Sequence, residues 1–174
     1  QRVYASGGQA VNFLDFEKDG KKSDIDDHGF VTIDYSNGVC ATFTLNMFCP
    51  DFYEELVICG EEGRLLACEK VDLQQQKSPE TSVSIHLGEE GASRTTKLGY
   101  PAAIERSGHH GATYYEHIAF LDRLEGKIVD SATPLQGLWA MIVASAAQES
   151  TASGAPIEIA DYIEQHKLVA VLSE

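Results

Sequence analysis

Two alternating runs joined by three turn residues constrain the fold of this chain more than any other segment. Gly29-Phe30-Val31-Thr32-Ile33-Asp34-Tyr35 and Val39-Cys40-Ala41-Thr42-Phe43-Thr44-Leu45-Asn46-Met47-Phe48 both have the period of a strand, and Ser36-Asn37-Gly38 links them. Asn-Gly accepts the positive φ angles of a type I′ turn, so the segment is predicted to be a tight antiparallel hairpin. In its second strand Cys40, Thr42 and Thr44 share one face, and Ala41, Phe43, Leu45 and Met47 share the other. A sheet with one fully apolar face covers helices on that side and leaves the other to solvent or a partner.

The rest of the first two thirds has the same character. Arg2 to Ser6 and Ala10 to Phe16 are expected as short strands, followed by the charged loop Glu17 to Asp24. Glu55 to Cys59 turns through Gly60-Glu61-Glu62-Gly63 into Arg64 to Glu69. Thr81 to Leu87 pairs with Ala92 to Leu98 through Gly88-Glu89-Glu90-Gly91. The recurring Gly-Glu-Glu-Gly is turn chemistry without a longer repeat around it. Asp72 to Pro79 is a polar linker between the hairpins.

Helical spacing then takes over. Ala112 to Leu124 ends before Gly126, a C-terminal glycine. A second helix, Leu135 to Ser153, begins behind the cap Thr133-Pro134, carries Leu138, Ile142, Ala146 and Glu149 on one side, and stops at Gly154. Its alanines allow it to lie close against a sheet. A short strand at Pro156 to Ile159 and an ending at Asp161-Tyr162-Ile163 follow. Strands first and helices later give an α+β class: an open, mainly antiparallel β-sheet with helices packed on one face.

Composition narrows the function classes. A chain of 174 residues, 43% hydrophobic, is expected as one globular domain. No apolar run approaches the roughly 18 residues of a membrane span. A formal net charge of −14 disfavours nucleic acid and anionic membranes as partners. Cys40, Cys49, Cys59 and Cys68 form no Cys-x-x-Cys pair and are expected as reduced, buried thiols of a cytoplasmic protein. The opening Gln1-Arg2-Val3-Tyr4 lacks Met and resembles the middle of a strand, as if cut from a longer chain.

One segment carries chemistry: Ser107-Gly108-His109-His110-Gly111-Ala112-Thr113-Tyr114-Tyr115-Glu116-His117. Its glycines give backbone access, and its histidines can donate, accept or shuttle a proton near neutral pH. Spacing alone favours a purely structural role, in which the glycines shape the loop and the histidines bond nearby carbonyls. The pattern is not His-Glu-x-x-His, so no metal site is assigned. His117 is expected as a satisfied interior histidine. Asp24, Asp26, Asp27 and His28 are expected as the solvated rim of a loop. No Gly-x-Ser-x-Gly elbow, Gly-x-Gly-x-x-Gly fingerprint or phosphate-loop motif occurs.

Four of these features, in this order, resemble the C-terminal domain of the glucose–fructose oxidoreductase/inositol dehydrogenase/rhizopine-catabolism (Gfo/Idh/MocA) family. They are the Gly29 to Phe48 hairpin, the element Val57 to Leu65, the loop Gly108 to Ala112 with Phe120, and the ending Ala146 to Ile159 with Ser150, Gly154, Pro156 and Ile157. The resemblance implies a dihydrodipicolinate reductase-like C-terminal domain over residues 1–174, serving substrate binding and oligomerisation. It also implies a separate N-terminal Rossmann domain that binds NAD or NADP and supplies a catalytic lysine. The family's aspartate–histidine helix has no counterpart here. No catalytic residue is therefore assigned to this chain, no cofactor is expected in it, and alone it is expected to be inactive.

The substrate contacts implied are His109 and His110, with Gly108, Gly111 and Tyr114 around them, and the substrate class is a sugar or polyol such as a cyclitol. The open sheet face is implied as a homo-oligomer contact. An NAD-dependent glycoside hydrolase of the same architecture and a non-catalytic binding or dimerisation module are the alternative readings.

Overall fold

The computed structural model describes residues 1–49, 52–71, 79–88 and 91–172. Its strands are β1 (Arg2–Gly8), β2 (Glu17–Lys18), β3 (Lys21–Lys22), β4 (His28–Asp34), β5 (Cys40–Asn46), β6 (Phe52–Gly60), β7 (Gly63–Val71), β8 (Glu80–Leu87), β9 (Ser93–Leu98) and β10 (Ile157–Glu158). The helices are α1 (Ala102–Glu105), α2 (Ala112–Leu124), α3 (Pro134–Ser153), α4 (Ile159–Gln165) and α5 (Val169–Leu172), with a 3-10 turn at Gly108–Gly111. They gather into two compact units, Gln1–Cys49 with Ala132–Glu174, and Pro50–Ser131. The α+β class and the antiparallel pairing are as expected. The long strands divide between two four-stranded sheets, one in each unit.

In the first unit the order is β10-β1-β4-β5, antiparallel throughout. Alternation along β1 buries Val3 and Ala5 and exposes Arg2 and Tyr4. Val3 and Ala5 pack with Ile142, Ala146 and Ala147 of α3 and with Ile159 and Tyr162, and Val31 and Ile33 of β4 add to that core. The small Ala146 and Ala147 allow the close helix–sheet approach. The predicted helix start holds in detail: the Thr133 hydroxyl accepts from the Gln136 N–H, the Gln136 side chain accepts from the Thr133 N–H, and Pro134 occupies the first turn. Gly154 closes the helix at φ 69°. The buried position of its last turn is Ser150, whereas Glu149, expected on that side, is partly exposed beside His166.

Ser150 solves a pairing problem. β10 pairs with β1 only at Arg2 and Val3, which leaves the Ala5 N–H without a strand partner on that side. The fully buried Ser150 Oγ accepts from the Ala5 N–H at 2.9 Å and donates to the Ala155 carbonyl at 2.7 Å. One hydroxyl thus extends the ladder past the point where Pro156 cannot donate.

Three expectations change. Ala10 to Phe16 forms turns, not a strand, because the aspartate expected on a solvated rim organises it from inside. Asp27 exposes no surface. Its carboxylate accepts from the backbone N–H groups of Ala10, Val11 and Asn12 at 2.7–3.1 Å and from His28 Nδ1 at 2.9 Å. Burial, the largest single influence, pushes the Asp27 pKa up, but the bonds from His28, Val11, Asn12 and Ala10 together hold it well below the usual carboxylate range. The hairpin loop, in turn, has positive φ only at Gly38, with Gly38 N–H donating to the Tyr35 carbonyl and Tyr35 N–H to the Val39 carbonyl. That is a three-residue loop ending in a left-handed glycine, where a type I′ turn needs two positive φ angles. Finally, all four cysteines are free, but Cys40, Cys49 and Cys59 are exposed and only Cys68 is half-buried.

The second unit has the order β6-β7-β8-β9, again antiparallel. The two-residue link Glu61-Glu62 sets the β6/β7 register, which pairs Phe52 with Val71, Glu54 with Glu69 and Leu56 with Ala67. Residues 72–78 and 89–90, the expected linker and part of the second Gly-Glu-Glu-Gly turn, lie outside the described residues. No described helix is long and apolar enough to cross a membrane.

Two substitutions test these tie points. Asp27→Asn places amide hydrogens against backbone donors and should lower the melting temperature by roughly 5–10 °C. Because the folded carboxylate is held below its ordinary pKa, its contribution is complete above the unfolded value of about 4 and drains away as pH falls beneath it. The gap between wild type and Asp27→Asn, followed by thermal melts from pH 7 to pH 3, should therefore narrow on the acid side. Ser150→Ala strands a buried donor and a buried acceptor and should cost about 1–3 kcal/mol in urea unfolding.

Candidate functional site

Between α1 and α2 the chain passes through the 3-10 turn Gly108–Gly111, which two glycines and two histidines form. Gly111 is buried at φ 104°. A Cβ there would sit 2.8 Å from a ring carbon of Tyr100 and 3.1 Å from a side-chain carbon of Ile104, so only glycine fits. At Gly108 a Cβ would approach Thr113 Oγ1 to 3.2 Å. Between them His109 (φ 49°, ψ 48°) and His110 (φ 55°, ψ 26°) are consecutive left-handed residues. That conformation costs a residue with a Cβ about 1–2 kcal/mol. The Ala112 N–H at the start of α2 is taken by the Gly108 and His109 carbonyls and is not offered to a ligand.

His109 and His110 line a depression of about 350 Å³, the size of a small-molecule site. Its other walls are Phe52 and Glu54 of β6, Glu69 of β7, and Ala112, Thr113 and Glu116 of α2. The His110 ring meets the Phe52 ring edge-on at 6.3 Å. The structure thus brings together two imidazoles, three carboxylates and one hydroxyl. These groups can give and take hydrogen bonds with a hydroxyl-rich molecule. On the other face of β6, the Tyr53 hydroxyl donates to Glu55, which pushes its pKa up to about 12.

Of the residues singled out by sequence, His109 and His110 line the depression and Gly108 and Gly111 shape it. Tyr114 is not among the lining residues. It is partly exposed and packs edge-on against Tyr115, which lies against Tyr100 at 4.7 Å. His117 is exposed, not interior, and its Nδ1 bonds the Thr113 carbonyl at 2.8 Å. Sequence reasoning missed Phe52, Glu54 and Glu69, and singled out the segment holding Thr113 and Glu116 without giving either a substrate contact. A signal existed for the two strand glutamates, since the Gly60–Gly63 turn fixes a register in which Glu54 faces Glu69. Among the described residues no three His, Cys, Asp or Glu side chains gather closely enough to hold a metal ion.

Comparison with known proteins agrees with this architecture. Residues 2–159 match the model of the Gfo/Idh/MocA oxidoreductase family's C-terminal alpha/beta domain. Levoglucosan dehydrogenase solved with NADH and L-sorbose superposes with a TM-score of 0.63 at 18% identity, over 91% of this chain and 44% of that one. The same enzyme with NADH and levoglucosan gives 0.60 at 19% identity, over 91% and 44%. An Agrobacterium radiobacter oxidoreductase solved with NAD+, L-tartaric acid and magnesium gives 0.58 at 17%, over 92% and 43%. At these identities the likeness is one of fold, and the chain spans less than half the length of these structures. No curated protein sequence matches it significantly. A family match over nearly the whole chain settles its kinship: it belongs to the Gfo/Idh/MocA oxidoreductases, in their C-terminal α/β domain.

Proposed function

We propose that this chain is the substrate-binding part of a nicotinamide-dependent dehydrogenase that oxidises a sugar or polyol. One observation carries the reading: in a chain of an oxidoreductase family, the depression is walled by hydroxyl-binding groups and entered by two histidines in strained conformations. The neighbours' ligands L-sorbose and levoglucosan support the substrate class. His109 and His110 hydrogen-bond the substrate's hydroxyls, with Gly108 and Gly111 holding them in place, and Thr113 and Glu116 complete the wall from α2.

The depression does not suit a dinucleotide. Three carboxylates line it, and the first helix N–H that could meet a pyrophosphate is already bonded. Cofactor binding therefore falls to the remainder of the full-length protein, where a Rossmann domain would hold NAD or NADP, and no catalytic step is assigned to these residues. Their work is to bind and orient the carbinol. On its own the chain is inactive in this reading.

The same reading gives the open face of the first sheet to self-association. Tyr4, Phe30, Cys40, Thr42 and Thr44 are exposed there, and an exposed aromatic pair on a sheet face suits a copy of itself. Free cysteines suit a reducing, cytoplasmic setting.

The full-length protein, given NAD+ or NADP+ and a panel of sugars, cyclitols and aryl glycosides, should reduce the cofactor without cleaving glycosides. Cleavage without net reduction assigns the hydrolase chemistry instead, and neither activity rejects both. His109→Gly and His110→Gly give a sharper readout. Each should raise the melting temperature by roughly 2–3 °C, because glycine relieves the left-handed strain. Each should also lower kcat/KM at least about tenfold, the loss of one good hydrogen bond to substrate. Raised stability with intact kinetics would return both histidines to a loop-shaping role.

A further inference from the structure

The depression holds an electrostatic anomaly. Glu54 and Glu69 are direct cross-strand partners on the same face of the second sheet, and both line the depression. Like charges directly opposite one another destabilise a sheet, and the neighbouring pairs on that face, Phe52 with Val71 and Leu56 with Ala67, show what packing alone would place there. Elsewhere the chain neutralises a cross-strand carboxylate: Arg2 lies opposite Asp34 and bonds it at 2.6 Å. Among the described residues the carboxylates of Glu54, which is exposed, and Glu69, which is half-buried, have no ion pair or hydrogen bond, and the exposed Glu116 adds a third such carboxylate from α2. Among the described residues no Lys or Arg lines the depression, and the other ionisable groups there are the imidazoles of His109 and His110.

We infer that Glu54 and Glu69 act as a charge filter, admitting neutral and amino-bearing polyols and turning away carboxylated or phosphorylated ones. The inference rests on the reading of the depression as a carbohydrate site and names the substrate class within it. A carboxylate accepts hydrogen bonds from neutral hydroxyls more strongly than a neutral acceptor does, and an ammonium gives it the strongest bond of the three. An anionic substituent meets fixed negative charge without a guanidinium or ammonium to answer it. The two glutamates keep their repulsion until a substrate donates to them. That makes them specificity residues, with no part in bond-making.

The test uses the full-length protein saturated with NADH, titrated calorimetrically with D-glucose, D-glucosamine and D-glucuronate, and with the galactose counterparts. Wild type should bind the uronate at least about tenfold more weakly than the neutral sugar and the amino sugar at least as well as it. In the Glu54→Gln/Glu69→Gln double variant the ratio between uronate and neutral sugar should collapse to within about twofold, whatever happens to absolute affinity. Glu69→Asp, which keeps the charge, should retain the discrimination. Raising sodium chloride to about 0.5 M should shrink it in wild type, since screening weakens charge repulsion. Equal binding of uronate and neutral sugar by wild type, or an unchanged ratio in the double variant, overturns the filter and leaves the dehydrogenase reading standing. Absence of binding by any sugar, whatever its charge, overturns both.

Discussion

The candidate site hangs on one close approach, that of Gly111 to Tyr100 and Ile104. With no room for a Cβ, the backbone at Gly111 passes against the Tyr100 ring, and α2 starts at the next residue. Two features accompany that approach. The turn leading into it, Gly108 to His110, holds left-handed geometry at two residues that resist it. The first turn of α2 must then present Ala112, Thr113 and Glu116 to the same depression as the histidines. Every group that α2 contributes to the site is placed by the glycine ahead of it.

Two treatments of carboxylates coexist in this chain. Asp27 is fully buried, but four donors surround it, so its charge organises a loop and costs little to keep. Its acceptance of three N–H groups leaves no proton on the carboxylate, which fixes the hydrogen of His28 on Nδ1. Glu54 and Glu69 are the reverse: like charges set opposite each other with no donor assigned to either. A satisfied charge belongs to the fold. An unsatisfied one in a concave wall is available to a ligand, and the contrast within one molecule is what makes the second pair informative.

The legibility of the sequence follows the same division between local and non-local causes. The strand pairing of the β4/β5 and β6/β7 hairpins, the α3 cap at Thr133-Pro134 and the stop at Gly154 depend on residues within a few positions of one another, and they stand as expected, although the β4/β5 loop is not of type I′. Ala10 to Phe16 could not be read, because what bends it is Asp27, more than ten residues away. The role of Ser150 is equally non-local, since a serine in the last turn of a helix reveals nothing until β10 proves too short to serve Ala5. At the site, His109 and His110 stood out between glycines, whereas Glu54 and Glu69 had the appearance of ordinary strand carboxylates until register placed them opposite each other.

The strain at the histidines gains weight from how the chain handles positive φ elsewhere. Seven glycines take it, among them Gly38 in the hairpin loop and Gly154 at the end of α3. The other residues that share it, Phe13, Asp19 and Lys167, do so singly, with no left-handed non-glycine beside them. Among the described residues only at His109 and His110 do two consecutive residues with side chains accept the conformation. A loop needing shape alone would lose nothing, and gain stability, with glycine at either position. Backbone strain kept where a less strained residue would serve concentrates at sites where the side chain has work to do. In the proposed reading that work lies in the depression both imidazoles line, which sets His109 and His110 apart from the other left-handed residues among those described.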